Sequence, residues 1–163
     1  MNYQYELNKN QLELRVKKAP LFVRAVMFFF TILFFLLPLT GMILGLAMGK
    51  DMHFGYILGI FVFGILGFYM LRISLWNTYG KEIITFENNN ITYIADYGWF
   101  KDGKKQYEYT QPLVYSLRQI GFEEDNNGGL VIELEEPITC VTKMPIAELQ
   151  DLIDKLNDVD CWQ

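Results

Sequence analysis

Residues 25–48 read AVMFFFTILFFLLPLTGMILGLAM, an unbroken run without one charged side chain. At about 1.5 Å of rise per residue, a helix over this run reaches across a hydrocarbon core roughly 30 Å thick. Lys50, Asp51 and His53 interrupt it, and a second uncharged run, Phe54 to Leu71, follows at once. That run gains length if Ile73, Leu75 and Trp76 continue it past Arg72. The pattern predicts two membrane-crossing helices joined by a short turn, a helical hairpin occupying residues 21–76, with membrane lipid as its surroundings.

The hydrophobic content of 52% and aromatic content of 16% would also suit a compact soluble domain, so distribution must decide. Apolar residues lie in continuous blocks in the first half and alternate with polar ones in the second, which predicts two regimes in one chain. Charge divides the same way. Residues 1–77 carry a net +4 and residues 78–163 a net −9 within the total of −5. So acidic a second half excludes nucleic acid as an expected partner, because phosphate binding needs a basic face. It also argues against the whole domain lying flat on anionic lipid.

No chemistry-bearing constellation emerges. Cys140 and Cys161 form no CxxC and have no nearby histidine, so neither a zinc site nor a disulfide framework is expected, and two ordinary thiols suit a reducing compartment. Glu123, Glu124, Asp125, Glu133, Glu135 and Glu136 lack the alternating ligand pattern of a calcium loop. His53, the one histidine, has no serine, cysteine or carboxylate arrangement around it. No metal, no cofactor and no enzymatic activity are expected.

Residues 1–20 alternate at Tyr3, Tyr5 and Leu7 and again at Leu12, Leu14 and Val16, around Asn8-Lys9-Asn10, which predicts a β-hairpin. The apolar run that follows exceeds the core of a secretory leader and lacks a small-x-small cleavage site, so the first helix is expected to stay attached. Lys9, Arg15, Lys17, Lys18 and Arg24 precede the first span, whereas the connecting turn offers only Lys50 and His53 beside Asp51. The positive-inside rule then places both termini in the cytoplasm and the turn outside. Pro38 should kink the first span. Gly41, Gly45 and Gly49, with Gly55 and Gly59 at matching depth on the second span, are read as the internal seam of the hairpin. Gly64 and Gly67 are left for a second partner, so oligomerisation is compatible with the pattern.

From Lys81 the period changes to two. Lys81 to Glu87 and Ile91 to Tyr97 read as a hairpin about Asn88 to Asn90. Asp102-Gly103 reads as a type I′ turn leading into Lys105 to Thr110, with Gln111-Pro112 breaking that strand. Leu113 to Arg118, Ile120 to Glu124, Leu130 to Glu135 and Ile138 to Lys143 complete the strands, with a turn at Asn126 to Gly129. Ile146, Leu149, Leu152, Ile153 and Leu156 then share one face of a closing helix over Pro145 to Asn157.

The segments KEIITFENNNITYIADY (Lys81 to Tyr97), GGLVIELEEPITCVTK (Gly128 to Lys143) and PIAELQDLIDKL (Pro145 to Leu156) resemble the order of a pleckstrin-homology-like (PH-like) domain. About seven antiparallel strands are there followed by one amphipathic helix that plugs the end of a barrel. With a hairpin and two spans before them, the chain is similar over nearly its full length to membrane-anchored bacterial PH-like proteins. The resemblance implies a membrane α+β protein with domains at 1–20, 21–76 and 77–163. It further implies a non-enzymatic module on the inner face of the bacterial cytoplasmic membrane. Eukaryotic relatives commonly bind phosphoinositides through basic residues at the first hairpin. Here that turn is Glu87-Asn88-Asn89-Asn90, without a cation, so such binding is not expected.

One soluble stretch combines large aromatics with a local positive charge, YGWFKDGKK at Tyr97 to Lys105. Trp99, Phe100, Lys101, Lys104 and Lys105 are the candidate contact residues for a protein partner or for lipid headgroups. In the alternative reading, Trp99 and Phe100 fold back onto the domain and the lysines are merely solvated. The functional expectation is an adaptor or regulator whose membrane-tethered domain binds a protein; the second expectation is an immunity protein that neutralises a toxin acting at the membrane.

Overall fold

The computed structural model describes residues 3–87, 89–109, 113–121 and 123–158. The chain divides into two compact units, Lys18–Thr78 and the combination of Met1–Lys17 with Tyr79–Gln163.

The first unit is helical. α1 spans Leu21–Ala47 and α2 spans Phe54–Tyr79. α1 starts behind Pro20, whose fixed φ of −52° suits the entry to a helix. It stops at Gly49, where φ is +77°, and Met48 and Lys50 donate their amides back to Leu44 and Gly45. At the opposite end, the Ala19 amide donates to the Asn77 carbonyl at 3.2 Å, so the chain enters α1 beside the point where it leaves α2.

Both helices are long and apolar enough to cross a membrane, and only 6% of the most hydrophobic window of each is buried. The core helix of a soluble protein would be covered, whereas here Phe29, Ile32, Ile43, Phe61, Ile65 and Phe68 all lie exposed. A small set of side chains meets inside the pair. The Thr31 and Ser74 hydroxyls lie 3.4 Å apart and each also donates to its own helix, at Met27 and Met70. The Phe34 and Phe63 rings meet at a 45° tilt, 6.0 Å apart centroid to centroid.

The glycine seam differs from the expected one. Gly45 is covered by the Tyr56 side chain and Gly67 by the Phe35 ring, which lies 3.0 Å from where a Cβ would be. A Cβ at Gly41, Gly49, Gly55 or Gly59 would meet nothing within 4 Å. The reason is steric: aromatic side chains fill the space between the helices, so glycine is needed where a ring lands and not wherever a four-residue stripe passes.

The second unit is built of sheets and one helix. Its first sheet holds β1 (Tyr5–Asn8), β2 (Gln11–Arg15), β3 (Lys81–Glu87), β4 (Asn90–Asp96) and β5 (Lys101–Glu108), antiparallel and in chain order. Its second holds β6 (Val114–Gln119), β7 (Asn127–Glu133) and the short β8 (Ile138–Thr139), with β9 (Met144–Pro145) also paired to β7. α3 (Ile146–Asp158) follows β9 directly. Leu12, Leu14, Ile84, Phe86 and Ile91 from the first sheet share one core with Leu130, Ile132, Met144, Leu149, Leu152 and Leu156.

The N-terminal hairpin belongs to this sheet. β2 pairs with β3 from Gln11↔Thr85 to Arg15↔Lys81, and the Val16 amide continues the ladder to the Gly80 carbonyl at 3.0 Å. The chain thus leaves the sheet after β2, forms both long helices and returns as the adjacent strand.

Four antiparallel readings need correction. The strands form two open sheets and no closed barrel; no ladder joins the sheets among the described residues, and the edge of β3 that faces away from β4 is taken by β2. Asp102-Gly103 is a bulge inside β5 and not a hairpin turn. Tyr93 pairs with Lys105 and Ala95 with Asp102, so β5 carries one extra residue there, and Gly103 supplies the φ of +66°. Ile120 to Glu124 is not a strand: Gly121 has φ +102° and Glu123–Asp125 forms a 3-10 turn, so that β7 begins already at Asn127. Beyond β8, residues 140–143 leave the strand conformation. The expected break at Gln111-Pro112, as well as Asn88 and Cys161, lies outside the described residues.

Candidate functional site

The bulge at Gly103 moves the true β4–β5 turn to Tyr97–Phe100, onto the aromatic stretch itself. The Tyr97 amide donates to the Phe100 carbonyl at 2.9 Å, closing the turn. Gly98 adopts φ +85° and donates its amide to Asp96 Oδ1 at 2.8 Å. Glycine is required twice over at this position, because a Cβ would lie 2.7 Å from Tyr79 Cβ. Tyr79, the residue that closes α2, is itself counted in the sheet unit. The turn is therefore packed on Tyr79, a contact made within the sheet unit.

This geometry separates the two expected aromatics. Phe100 stacks on the buried Tyr97 ring with centroids 4.8 Å apart and an interplanar angle of 15°. Trp99 does the opposite and is 70% exposed. Of the lysines, Lys101 lies 3.9 Å from Asp96 Oδ2, which also has Lys81 at 4.0 Å, so two cations flank one nearly buried carboxylate. Lys104 and Lys105 lie exposed farther along β5. The five candidate residues therefore do not form one cluster: Trp99 and Lys101 share the turn, Phe100 belongs to the packing beneath it, and Lys104 and Lys105 belong to the strand past the bulge. Phe100→Ser is expected to lower the stability of the sheet unit by about 2–4 kcal/mol through lost packing, and Trp99→Ser to change it by less than about 0.5 kcal/mol. Thermal unfolding of the two variants side by side checks this division.

A second polar site escaped the sequence reading. Glu82 in β3 is fully buried. Its Oε1 accepts from the Tyr93 hydroxyl at 2.6 Å and the Val141 amide at 2.9 Å, and its Oε2 accepts from the Thr142 amide at 2.7 Å. One carboxylate thus clasps the first sheet to the segment that follows β8. Burial, reinforced by the Glu82 charge, pushes the Tyr93 phenol and the Cys140 thiol above their ordinary values. Tyr93 is accordingly a fixed donor, and Cys140 stays a thiol that is not activated for nucleophilic attack. A signal was present: Glu82 shares the parity of Ile84 and Phe86, so alternation points it into the core.

The N-terminal strand is also tied to α3. Lys155 Nζ donates to Asp151 Oδ2 at 2.7 Å and to the Tyr5 hydroxyl at 2.8 Å, while Tyr5 donates to the same carboxylate at 2.7 Å. The Lys155 ammonium also lies 5.2 Å and 5.4 Å from the Tyr3 and Tyr5 ring centroids. The hydrogen bond from Lys155, then that from Tyr5, holds the Asp151 carboxyl below the ordinary range. The Lys155 ammonium is in turn raised, first by its bond to Asp151. A depressed carboxyl stabilises the fold above its unfolded pKa and loses that contribution as pH falls through the folded one; a raised ammonium loses its contribution only as pH climbs through its folded pKa. The latch is therefore complete at neutral pH. Asp151→Asn should flatten the acid limb of a melting-temperature profile and leave the neutral plateau slightly lower, the cluster being exposed and screened.

Among the described residues no three His, Cys, Asp or Glu side chains are grouped to hold a metal ion. Compared with protein-family models, curated proteins and solved structures, the chain matches none.

Proposed function

We propose that this chain is a small integral protein of the bacterial cytoplasmic membrane whose PH-like sheet domain, on the cytoplasmic side, binds a protein partner without catalysing a reaction. The observation that carries the reading is the uncovered apolar surface along both long helices, which water would not tolerate and lipid would cover. The β2–β3 ladder adds support, since the chain departs for α1 and returns from α2 on adjacent strands, as an even number of crossings requires. The cations at Lys17, Lys18 and Arg24 before the first span favour the cytoplasmic side for that sheet. The open two-sheet form keeps the strand-then-helix order of a PH-like module. Its inert thiol and fully bonded buried carboxylate suit a scaffold better than a reaction centre.

The test is purification of the full-length protein from its native membranes in mild detergent. A stoichiometric intracellular or membrane partner is the expected result. A single secreted toxin in that place would establish the immunity reading instead, and a chain that elutes alone under all conditions would contradict both.

A further inference from the structure

We infer that Asp102 is a modification site, rearranging to isoaspartate through a cyclic imide that its own carboxylate forms with the Gly103 amide. The inference concerns the sheet unit alone and goes beyond the functional reading above, on which it does not depend.

The sequence holds two pairs able to cyclise in this way, Asp102-Gly103 and Asn127-Gly128. In a freely flexing chain the asparagine pair reacts faster, because ammonia leaves a side-chain amide more readily than water leaves a carboxylate. The fold reverses that order. Ala95 pairs with Asp102 and Tyr93 with Lys105, so the β4–β5 register skips Gly103. The Gly103 amide donates instead to Asp102 Oδ1 at 2.7 Å, which sets the nitrogen beside the carboxylate it would attack. Gly103 is exposed, and even a Cβ there would meet nothing within 4 Å, so the ring has room to close. β5 is also the last strand of its sheet among the described residues, so its main chain can shift without breaking a second ladder.

Asn127-Gly128 has none of this freedom. Gly128 pairs with Gln119 on one side and with Met144 on the other, and the Asn127 carbonyl accepts from the Ile120 amide at 3.1 Å. Gly128 is buried, with Leu149 and Leu117 side-chain carbons 3.0 Å and 3.3 Å from where a Cβ would be. Cyclisation there must wait for β7 to leave the sheet.

At Asp102 the Gly103 nitrogen bonds to Cγ, and one carboxylate oxygen leaves as water with the amide proton and a proton from solvent. Water then opens the imide, breaking one C–N bond and releasing a proton. Opening at the side-chain carbonyl restores aspartate; opening at the main-chain carbonyl leaves the chain running through Cγ, one carbon longer, with a free carboxylate. The longer chain displaces Lys104 and Lys105 relative to Lys101, within the stretch of candidate contact residues.

The experiment ages the full-length protein at neutral pH in mild detergent, beside a sample whose sheet unit is unfolded in urea. Isoaspartate is counted by enzymatic methylation and placed by electron-transfer fragmentation, and deamidation of Asn127 is followed by mass. In the folded protein, isoaspartate at position 102 is expected at a rate within about threefold of the unfolded sample, and Asn127 deamidation at least about tenfold slower than there. Asp102→Glu, whose longer side chain cannot close the five-membered ring, should lose the folded-state methylation; fragmentation of the native chain locates the signal independently should that variant misfold. Protection of Asp102 to the same degree as Asn127 would overturn the proposal. So would deamidation of Asn127 ahead of Asp102 in the folded protein, or undiminished methylation of Asp102→Glu.

Discussion

Replacing Glu82 with alanine is expected to cost the sheet unit about 3–5 kcal/mol, because one buried donor and two partly buried ones lose their acceptor at once and an unsatisfied buried donor costs about 1–3 kcal/mol. Those donors are the amides of Val141 and Thr142 and the hydroxyl of Tyr93. The Thr142 amide is the costliest of them, since it is buried in a segment that leaves β8 with no ladder of its own. A loss of this size is a large part of the stability of an ordinary domain. Glu82→Gln keeps one acceptor oxygen but sets an N–H₂ against a donor, so it should fall between alanine and Tyr93→Phe, which removes a single bond worth about 1.5–3 kcal/mol. The buried Cys140 thiol supplies a readout in a Cys161→Ser background. Maleimide labelling in urea should begin at lower denaturant in the order Glu82→Ala, Glu82→Gln, Tyr93→Phe, native. A Glu82→Ala protein that protects Cys140 as well as the native chain does would refute the clasp.

The second large effect is expected at Leu12. It is fully buried in β2, paired across the ladder with Ile84 on one side and Leu7 on the other. Leu12→Ala removes this side chain from the middle of the shared core and should cost about 2–5 kcal/mol, the range depending on how far the site collapses. The point of the substitution is its remoteness in sequence. If the N-terminal hairpin were an independent appendage, the change would leave Cys140 on the far side of the chain untouched. In the described fold, Leu12 and Cys140 belong to one cluster, so Cys140 exposure must move to lower denaturant with it.

What the sequence disclosed, and what it hid, follows from the range of the interactions concerned. The two long helices were legible because an uncharged run of that length has few other uses, and they extend beyond it to carry Arg24 and Arg72. α3 was equally plain from Leu149, Leu152, Ile153 and Leu156 on one face. The pairing of β2 with β3 was hidden, since both helices intervene between the strands and no local pattern encodes a partner so distant. Asp102-Gly103 misled because the same positive φ serves a two-residue turn and a glycine bulge, and only the register with Tyr93 and Ala95 separates them. The glycine stripes misled for a related reason: spacing gives the face but not the ring that Tyr56 lays on Gly45. For the candidate site, the sequence isolated the Tyr97 to Lys105 stretch but could not divide Trp99 from Phe100, whose fates depend on stacking with Tyr97.

The central claim is that the two long helices cross one membrane and return the chain to the side from which it started. Asp51→Cys in the connecting turn and Gln150→Cys on the exposed face of α3, each with Cys161→Ser and with Cys140 shielded in the core, put the question to intact bacterial cells expressing the full chain. With a membrane-impermeant maleimide, the cysteine at position 51 should be labelled from outside and that at position 150 only after the cells are opened. Labelling of both from outside, or of neither until lysis, would contradict the account.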